Sequence, residues 1–320
     1  MPPAAPLPSP GTRAPQAALL SDGRRLHLQD GPIDLVIEAN GDEAAVRAAY
    51  HDAVARFTGL LDALCDELEL LRHPAQPGPC PLQGPVALRM RAAVLPHARA
   101  GFITPMAAVA GAVAEEVLLA FHRPGITRAY VNNGGDIALH LPQGARFMVG
   151  LVDRPDRPRL VGTSCVTFES PVRGIATSGW RGRSFSLGIA DAVTILAPTA
   201  SMADAAATVV ANAVDLPDHP GVLRVPASDI LPDSDLGARL VTRHVPELSA
   251  SERAEALGRG LAMARTLAGR GLICAAALHL QGETASTDPL ALAPTLLPAA
   301  AAPASDLSLP PEPEQRLAHA

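Results

Sequence analysis

A stretch of very small apolar side chains constrains this fold more than any other feature of the sequence. Residues 107–114 are all Ala, Val or Gly. They lie within residues 105–121, which we expect to form one helix with Pro105 in its first turn. Because such a helix presents so little side chain, it can approach another backbone, a ligand or a partner subunit very closely. We therefore expect a close contact here, inside the fold or between the subunits of a homo-oligomer.

The spacing of apolar residues changes from a helical to a strand period after this helix. Ser249 and Glu252 have the spacing of a capping box, which predicts a helix from there to about residue 267. The other predicted helices are 43–71, 86–95 and 202–214, and the predicted strands are 25–28, 33–38, 128–131, 137–141, 147–152, 159–168, 174–177, 192–196 and 272–280. Helices and mostly adjacent strands in blocks predict an α+β fold, with a mixed or antiparallel sheet and packed helices.

Composition shifts suggest one globular domain between two unstructured ends. Residues 1–23 are predicted to be a disordered leader, 24–280 the domain, and 281–320 a disordered Ala/Pro-rich tail. The leader has no basic region followed by an apolar run, so we do not expect a signal peptide. No stretch is long and apolar enough for a membrane span, and we expect a cytoplasmic protein.

The composition also excludes several classes of function. Aromatic residues make up 3 % of the chain, so few rings are present to stack on single-stranded nucleic acid. The net charge of −6 argues against binding to a nucleic-acid backbone or an anionic membrane. The chain has no lysine, which excludes a Walker A or Schiff-base lysine. The four cysteines contain no CxxC pair, so we expect isolated thiols.

Three segments carry residues suited to chemistry, and the first is a glycine-rich turn. Asn132, Asn133, Gly134, Gly135 and Asp136 lie between two predicted strands. Consecutive glycines let backbone N–H groups come close to a ligand, and the flanking polar side chains can orient a ribose, a phosphate or a metal-bound water. An ordinary β-hairpin explains the same residues equally well.

The second segment is a strand that ends in Thr177, Ser178 and Gly179. Two hydroxyl groups and a glycine suit contact with a phosphate or a flavin carbonyl, and an ordinary Ser/Thr turn is the alternative. Arg183 and Ser184 follow shortly after. An arginine fork matches phosphate oxygens, although these residues also fit a solvated loop.

The third segment is a predicted helix that carries Asp204 and Thr208. Their four-residue spacing places a carboxylate and a hydroxyl on one helix face. Mg²⁺ prefers oxygen ligands and combines one or two protein carboxylates with phosphate and water. The alternative is that Asp204 only completes the start of its own helix.

In this order, the three segments resemble the flavin-transferase superfamily, the ApbE-like FAD:protein FMN transferases, whose fold is related to the T-fold. The resemblance extends over about residues 25–280 and is closer to a shorter, uncharacterised ApbE-related branch. It rests on 105–115, 134–137 (Gly-Gly-Asp-Ile), 177–179 (Thr-Ser-Gly), 184–193, 203–208 (Ala-Asp-Ala-Ala-Ala-Thr) and 212–214.

This resemblance implies a flavin-nucleotide site with a bound Mg²⁺. Asp204, Thr208 and the carbonyl group of Ala110 would bind the metal, and the segments 132–136 and 177–179 would line the FAD pocket with Arg183 and Ser184 nearby. The reaction implied is transfer of FMN from FAD to a protein acceptor, with AMP leaving.

The sequence departs from the transferases at two places. Gly111 stands where they have a lysine, and residues 180–189 lack their histidine and proline, with Arg183 where the shorter branch often has a histidine. Asp191 or Asp136 would then be the catalytic base. The alternatives are a non-catalytic flavin-binding or accessory protein of a metabolic pathway, and a different small-molecule enzyme on the same scaffold.

Overall fold

A large antiparallel sheet forms the centre of the molecule. The computed structural model describes residues 15–154 and 160–287. Within these ranges, nine strands form one sheet in the order β1-β2-β3-β4-β5-β8-β9-β12-β13, and every neighbouring pair is antiparallel. The hairpins β6–β7 and β10–β11 form separate two-stranded sheets. The strands are β1 Gln16–Leu19, β2 Leu26–Asp30, β3 Ile33–Gly41, β4 Ile126–Asn133, β5 Asp136–His140, β6 Arg146–Val152, β7 Leu160–Thr167, β8 Gly174–Ser178, β9 Ala192–Ala197, β10 Leu223–Pro226, β11 Leu240–His244, β12 Ala275–Leu280 and β13 Glu283–Ser286.

Helices pack on one face of this sheet, and the β6–β7 hairpin packs on the other. Alternating residues of a strand point to opposite faces, so Ala176 of β8 joins the core under the helices while Ile175 joins a smaller cluster with Phe147 and Val166. The α-helices in the described ranges are α1 Glu43–Phe57, α2 Leu60–Asp66, α3 Leu68–Leu71, α4 Pro85–Val94, α5 Val109–Leu118, α6 Ala200–Ala213, α7 Ala227–Ile230 and α8 Ala250–Gly269, with 3₁₀ turns at Leu95–His97, Pro105–Ala108 and Leu119–Phe121. This arrangement confirms the α+β fold class.

The small-residue segment lies at the closest helix contact. A Cβ atom on Gly111 of α5 would lie 2.3 Å from the carbonyl oxygen of Ala200, at the start of α6. A Cβ atom on Gly174 would lie 2.1 Å from the carbonyl carbon of Thr199. The start of α6 is therefore held between α5 and β8 by two glycines, which explains why no larger residue could occupy either position.

Three predicted boundaries were wrong. Residues 43–71 form three helices and not one, because Gly59 adopts a φ of 79° and breaks the run between α1 and α2. Strand β1 lies inside the predicted leader, and β13 lies inside the predicted tail. All four side chains of β1 are exposed, so backbone pairing with β2 orders this strand without any apolar pattern in the sequence. Residues 1–14 and 288–320 lie outside the described residues.

The predicted capping box was confirmed. The capping box is complete, since Ser249 accepts a hydrogen bond from the Glu252 backbone and Glu252 accepts one from the Ser249 backbone. The four cysteines form no disulfide. Among the described helices, none combines the length and the hydropathy needed to cross a bilayer.

Candidate functional site

The glycine-rich turn is a tight β-hairpin that carries Asp136 at the start of β5. Asn133 pairs with Asp136, and only Gly134 and Gly135 lie between them. Their φ values are 64° and 115°, which favour glycine. The Asn132 side-chain oxygen accepts a hydrogen bond from the backbone N–H of Gly135 at 2.8 Å. The hairpin interpretation is therefore correct for the backbone, and this hairpin also delivers a carboxylate to the site.

Asp204 of α6 faces the first turn of the neighbouring helix α5. Its Oδ2 accepts a hydrogen bond from the backbone N–H of Gly111 at 2.9 Å, and the backbone N–H of Ala110 also donates to this carboxylate. N–H groups in the first turn of a helix have no partner within the helix and carry a partial positive charge. The Asp204 carboxylate, which belongs to α6, therefore caps the start of α5. The close contact at Gly111 brings the two helices near enough for this hydrogen bond.

The hairpin reaches the same helix end through Asn133. Its side-chain amide donates to the carbonyl oxygen of Ala110 at 3.2 Å. Asn133 thus binds the carbonyl group of Ala110, and Asp204 binds the neighbouring backbone N–H of Gly111. Asn133 and Asp204, about 70 residues apart in the sequence, therefore meet at the start of α5.

The two carboxylates are close enough to affect each other's ionisation. Desolvation by the surrounding protein raises the pKa of Asp136 to about 7, against the opposing effects of a hydrogen bond from the Thr177 backbone and the charge of Arg183. Desolvation and the charge of Asp136 together raise the pKa of Asp204 well above its usual value. Both residues are only half-buried and so retain accessible surface. A pair of this kind is stabilised by a proton or by a cation between them.

The remaining donors around this pair are neutral oxygens. Thr208 lies one helical turn after Asp204, is half-buried, and its hydroxyl group has no hydrogen bond to another described residue. No cluster of three or more His, Cys, Asp or Glu side chains suited to a metal occurs in the described parts of the chain. Two carboxylates with a hydroxyl and a carbonyl oxygen form a donor set for a hard cation that completes its shell with water and phosphate.

The Thr-Ser-Gly segment supports the site chiefly through its backbone. The Thr177 hydroxyl pairs with the Thr194 hydroxyl at 2.9 Å, while its N–H serves Asp136. A Cβ atom on Gly179 would lie 2.5 Å from the carbonyl oxygen of Asp191, so this glycine permits close packing. Ser178 ends β8 half-buried, and Ser184 is exposed in the following loop.

Asp191, one of the two predicted catalytic residues, occupies a structural position. It is 3 % exposed, and its two oxygens accept hydrogen bonds from Arg181 Nε at 2.6 Å and the Gln281 backbone at 2.7 Å. Arg181 in turn lies over the Trp180 ring, 4.3 Å from its centroid. These contacts tie the loop after β8 to the turn between β12 and β13. Of the two candidates, the geometry favours Asp136 as the one that a substrate can reach.

Sequence reasoning missed the residues that hold α6 in place. Glu115 Oε1 accepts hydrogen bonds from the backbone and side chain of Ser201 at 2.6 and 2.8 Å, and Glu115 Oε2 pairs with Arg89 at 3.0 Å. Asn212 accepts hydrogen bonds from Leu187 and Ser186, which ties the loop after Arg183 to the end of α6. A charged Glu115 within a helix of small apolar residues was the signal that could have revealed the first contact.

Comparisons with known proteins identify a family for most of the chain. The model of a protein family described as AbpE bacteria matches residues 17–286. UPF0280 proteins from archaea are also similar: one from Methanothermobacter thermautotrophicus is 38 % identical over 138 residues, covering 42 % of this chain and 51 % of the relative. Another from Methanosarcina acetivorans is 31 % identical over 184 residues, covering 57 % of this chain and 70 % of the relative.

The UPF0280 protein from Methanopyrus kandleri is 42 % identical over 110 residues, covering 34 % of this chain and 43 % of the relative. The chain thus spans about half the length of the first of these curated relatives. Among solved structures, the apo form of the Pseudomonas stutzeri flavinyl transferase ApbE is 14 % identical, with a TM-score of 0.41 and coverage of 86 % of this chain and 94 % of that one.

Proposed function

We propose that this chain, which belongs to the family described as AbpE bacteria, binds a flavin nucleotide together with Mg²⁺ and acts on the diphosphate of FAD. One observation carries the proposal: Asp136 and Asp204 approach each other at the start of α5, where the Gly111 backbone holds Asp204. The residues that meet are those that carry the resemblance to the ApbE-like transferases.

The donor set fits Mg²⁺ better than a transition metal. The further metal ligands proposed beside the two carboxylates, Thr208 and the Ala110 carbonyl, are both oxygens, and no histidine or cysteine cluster joins them in the described ranges. Mg²⁺ binds through one or two carboxylates and completes its shell with phosphate oxygens and water. Asp136, Asp204, Thr208 and the Ala110 carbonyl would therefore hold the ion, and the nucleotide diphosphate would supply further ligands.

The chain's own residues then orient the nucleotide. Bound Mg²⁺ supplies charge neutralisation at the diphosphate, which is the main requirement of phosphoryl-type transfer. The Gly134–Gly135 turn lets the nucleotide approach the backbone, since neither residue has a side chain in the way. Asp136 would bind the metal through one carboxylate oxygen, and its other oxygen would accept a proton from an incoming hydroxyl group, either water or the side chain of a protein acceptor. Attack by that hydroxyl on the FMN phosphorus would release AMP.

A second candidate, flavin binding without cleavage, has specific support. Asp191 is engaged by Arg181 and Gln281, and Arg183 stands where a histidine base is common in the shorter branch. Under this alternative the site would bind FAD intact, as an accessory protein of a metabolic pathway would.

A cleavage assay distinguishes these functions. The purified protein is incubated with FAD, with and without Mg²⁺, and the release of AMP and FMN is followed by chromatography. We expect Mg²⁺-dependent AMP release that Asp204→Ala abolishes and that Asp66→Ala preserves, because Asp66 is exposed on α2 away from the site. Stoichiometric binding of intact FAD would instead support the second candidate. Absence of flavin binding would refute both and leave a different small-molecule substrate.

A further inference from the structure

Arg183 lies across the glycine turn in an unusual way. Its Nη2 is 2.0 Å from the point that a Cβ atom on Gly134 would occupy, and its Cζ is 3.1 Å from that point. Any other residue at position 134 would therefore displace the guanidinium group. The side chain is exposed and, among the described residues, makes no hydrogen bond or ion pair. The fold provides room for this cation but does not bind it tightly.

The guanidinium group is nevertheless the positive charge that acts on Asp136. Its attraction lowers the pKa of that carboxyl group, against the larger effect of desolvation. Arg181, on the same loop, is committed elsewhere, because it pairs with Asp191 and stacks on Trp180. In the metal-free protein, Arg183 is thus the available counter-charge for Asp136.

A divalent cation and a guanidinium group compete for such a carboxylate. Their charges repel each other at short range, and the repulsion is stronger where solvent is partly excluded. Both are attracted to a diphosphate, and an arginine fork matches phosphate oxygens with two parallel hydrogen bonds. Entry of the metal therefore favours movement of the guanidinium group away from Asp136 and toward a bound nucleotide.

We propose that Arg183 is an exchangeable cation, which lies over the Gly134 turn near Asp136 in the metal-free protein and turns to the nucleotide diphosphate once a divalent metal has bound. This inference rests on the proposed function and adds an order to it: the metal binds before the nucleotide is clamped. It assigns opposite effects to one side chain, since Arg183 weakens metal binding in the free protein and strengthens nucleotide binding in the metal-loaded protein.

Titrations with Mn²⁺, and then with ADP in saturating Mn²⁺, test these opposite effects on the full chain. For Arg183→Ala, we expect Mn²⁺ affinity to rise about fivefold or more, as is typical of coupled sites. We expect ADP affinity to fall roughly tenfold or more, because a charged hydrogen-bond donor is lost. Arg183→Lys keeps the charge without the fork and should keep the Mn²⁺ affinity of the wild type while ADP affinity falls.

The controls separate this inference from the proposed function. Arg265→Ala removes an exposed arginine from α8 and should change neither affinity. If Mn²⁺ binds in an Asp204-dependent manner but Arg183→Ala changes neither affinity, or lowers both, the exchange is refuted and the proposed function stands. If the wild type binds no Mn²⁺ that Asp204→Ala removes, both are refuted. Equal thermal unfolding of Arg183→Ala and wild type confirms that the variant is folded.

Discussion

Replacing Gly111 by alanine tests the contact that places Asp204. The added Cβ atom would lie 2.3 Å from the carbonyl oxygen of Ala200, 2.5 Å from its carbonyl carbon and 2.7 Å from the nitrogen of Ser201. All three are backbone atoms, so no side-chain rotation relieves the overlap, and α5 and α6 must move apart. Separation would also lengthen the 2.9 Å hydrogen bond from Gly111 to Asp204.

The expected loss follows from three contributions. Overpacking of a core contact costs about 1–3 kcal/mol, and loss of the hydrogen bond costs about 1 kcal/mol more. Alanine regains about 1 kcal/mol through its higher helix propensity. The net effect is a free energy of unfolding lower by roughly 1–3 kcal/mol, and each kcal/mol corresponds to about 2–4 °C in Tm for a domain of this size.

Gly258→Ala is the matched control. Gly258 lies within α8, is exposed, and a Cβ atom there would meet nothing within 4 Å. The same substitution should therefore stabilise the protein by about 0.5–1 kcal/mol. Urea unfolding and Mn²⁺ titration of both variants provide the measurement, and only Gly111→Ala should weaken metal binding. A Gly111→Ala variant as stable as the wild type, with unchanged metal affinity, would show that the close contact at Gly111 does not position Asp204.

Three further predictions concern ionisation and helix ends. In metal-free protein, the pKa of Asp136 is raised to about 7. Between about pH 4 and pH 7 the folded state therefore keeps a proton that the unfolded state has lost. The free energy of unfolding should fall as the pH rises through this range. Asp136→Asn should remove this part of the slope in urea titrations with EDTA, and an unchanged slope would contradict it. Glu115→Ala leaves the backbone and side chain of Ser201, at the start of α6, without their acceptor, so urea unfolding should show a loss of about 2 kcal/mol, and a loss below measurement error would contradict the holding role. Ser249→Ala removes the α8 capping box and should lower the free energy of unfolding by about 1 kcal/mol in the same assay. Metal affinity should not change, and a change would show that the start of α8 influences the metal site.

Local patterns predicted the elements whose apolar faces are buried. The spacing of apolar residues located α4 and β4–β9, and the run of small residues located the closest helix contact, because each reflects packing against the core. Strands β10 and β11 were missed, since β10 is four residues long and ends in Pro226. The end of α1 was missed because an isolated glycine is tolerated in a helix, and only the φ of Gly59 shows the break.

The sequence offered candidate residues for the site but not the contacts between them. The motifs indicated that Asp136, Asp204 and Thr208 belong together, and the structure brings the two carboxylates to one helix end. No local pattern could show that Asp191 is engaged by Arg181 and Gln281, since the Gln281 partner lies 90 residues away. Long-range pairs of this kind depend on sheet order, which sequence spacing does not encode.

The proposed function requires one divalent ion between Asp136 and Asp204, beside the start of α5. Anomalous diffraction from crystals of this protein soaked in Mn²⁺ locates such an ion directly. We predict a single strong peak within coordination distance of both carboxylates, the Thr208 hydroxyl and the Ala110 carbonyl. A peak bound by other residues, or none at Mn²⁺ concentrations that stabilise the protein, would contradict it.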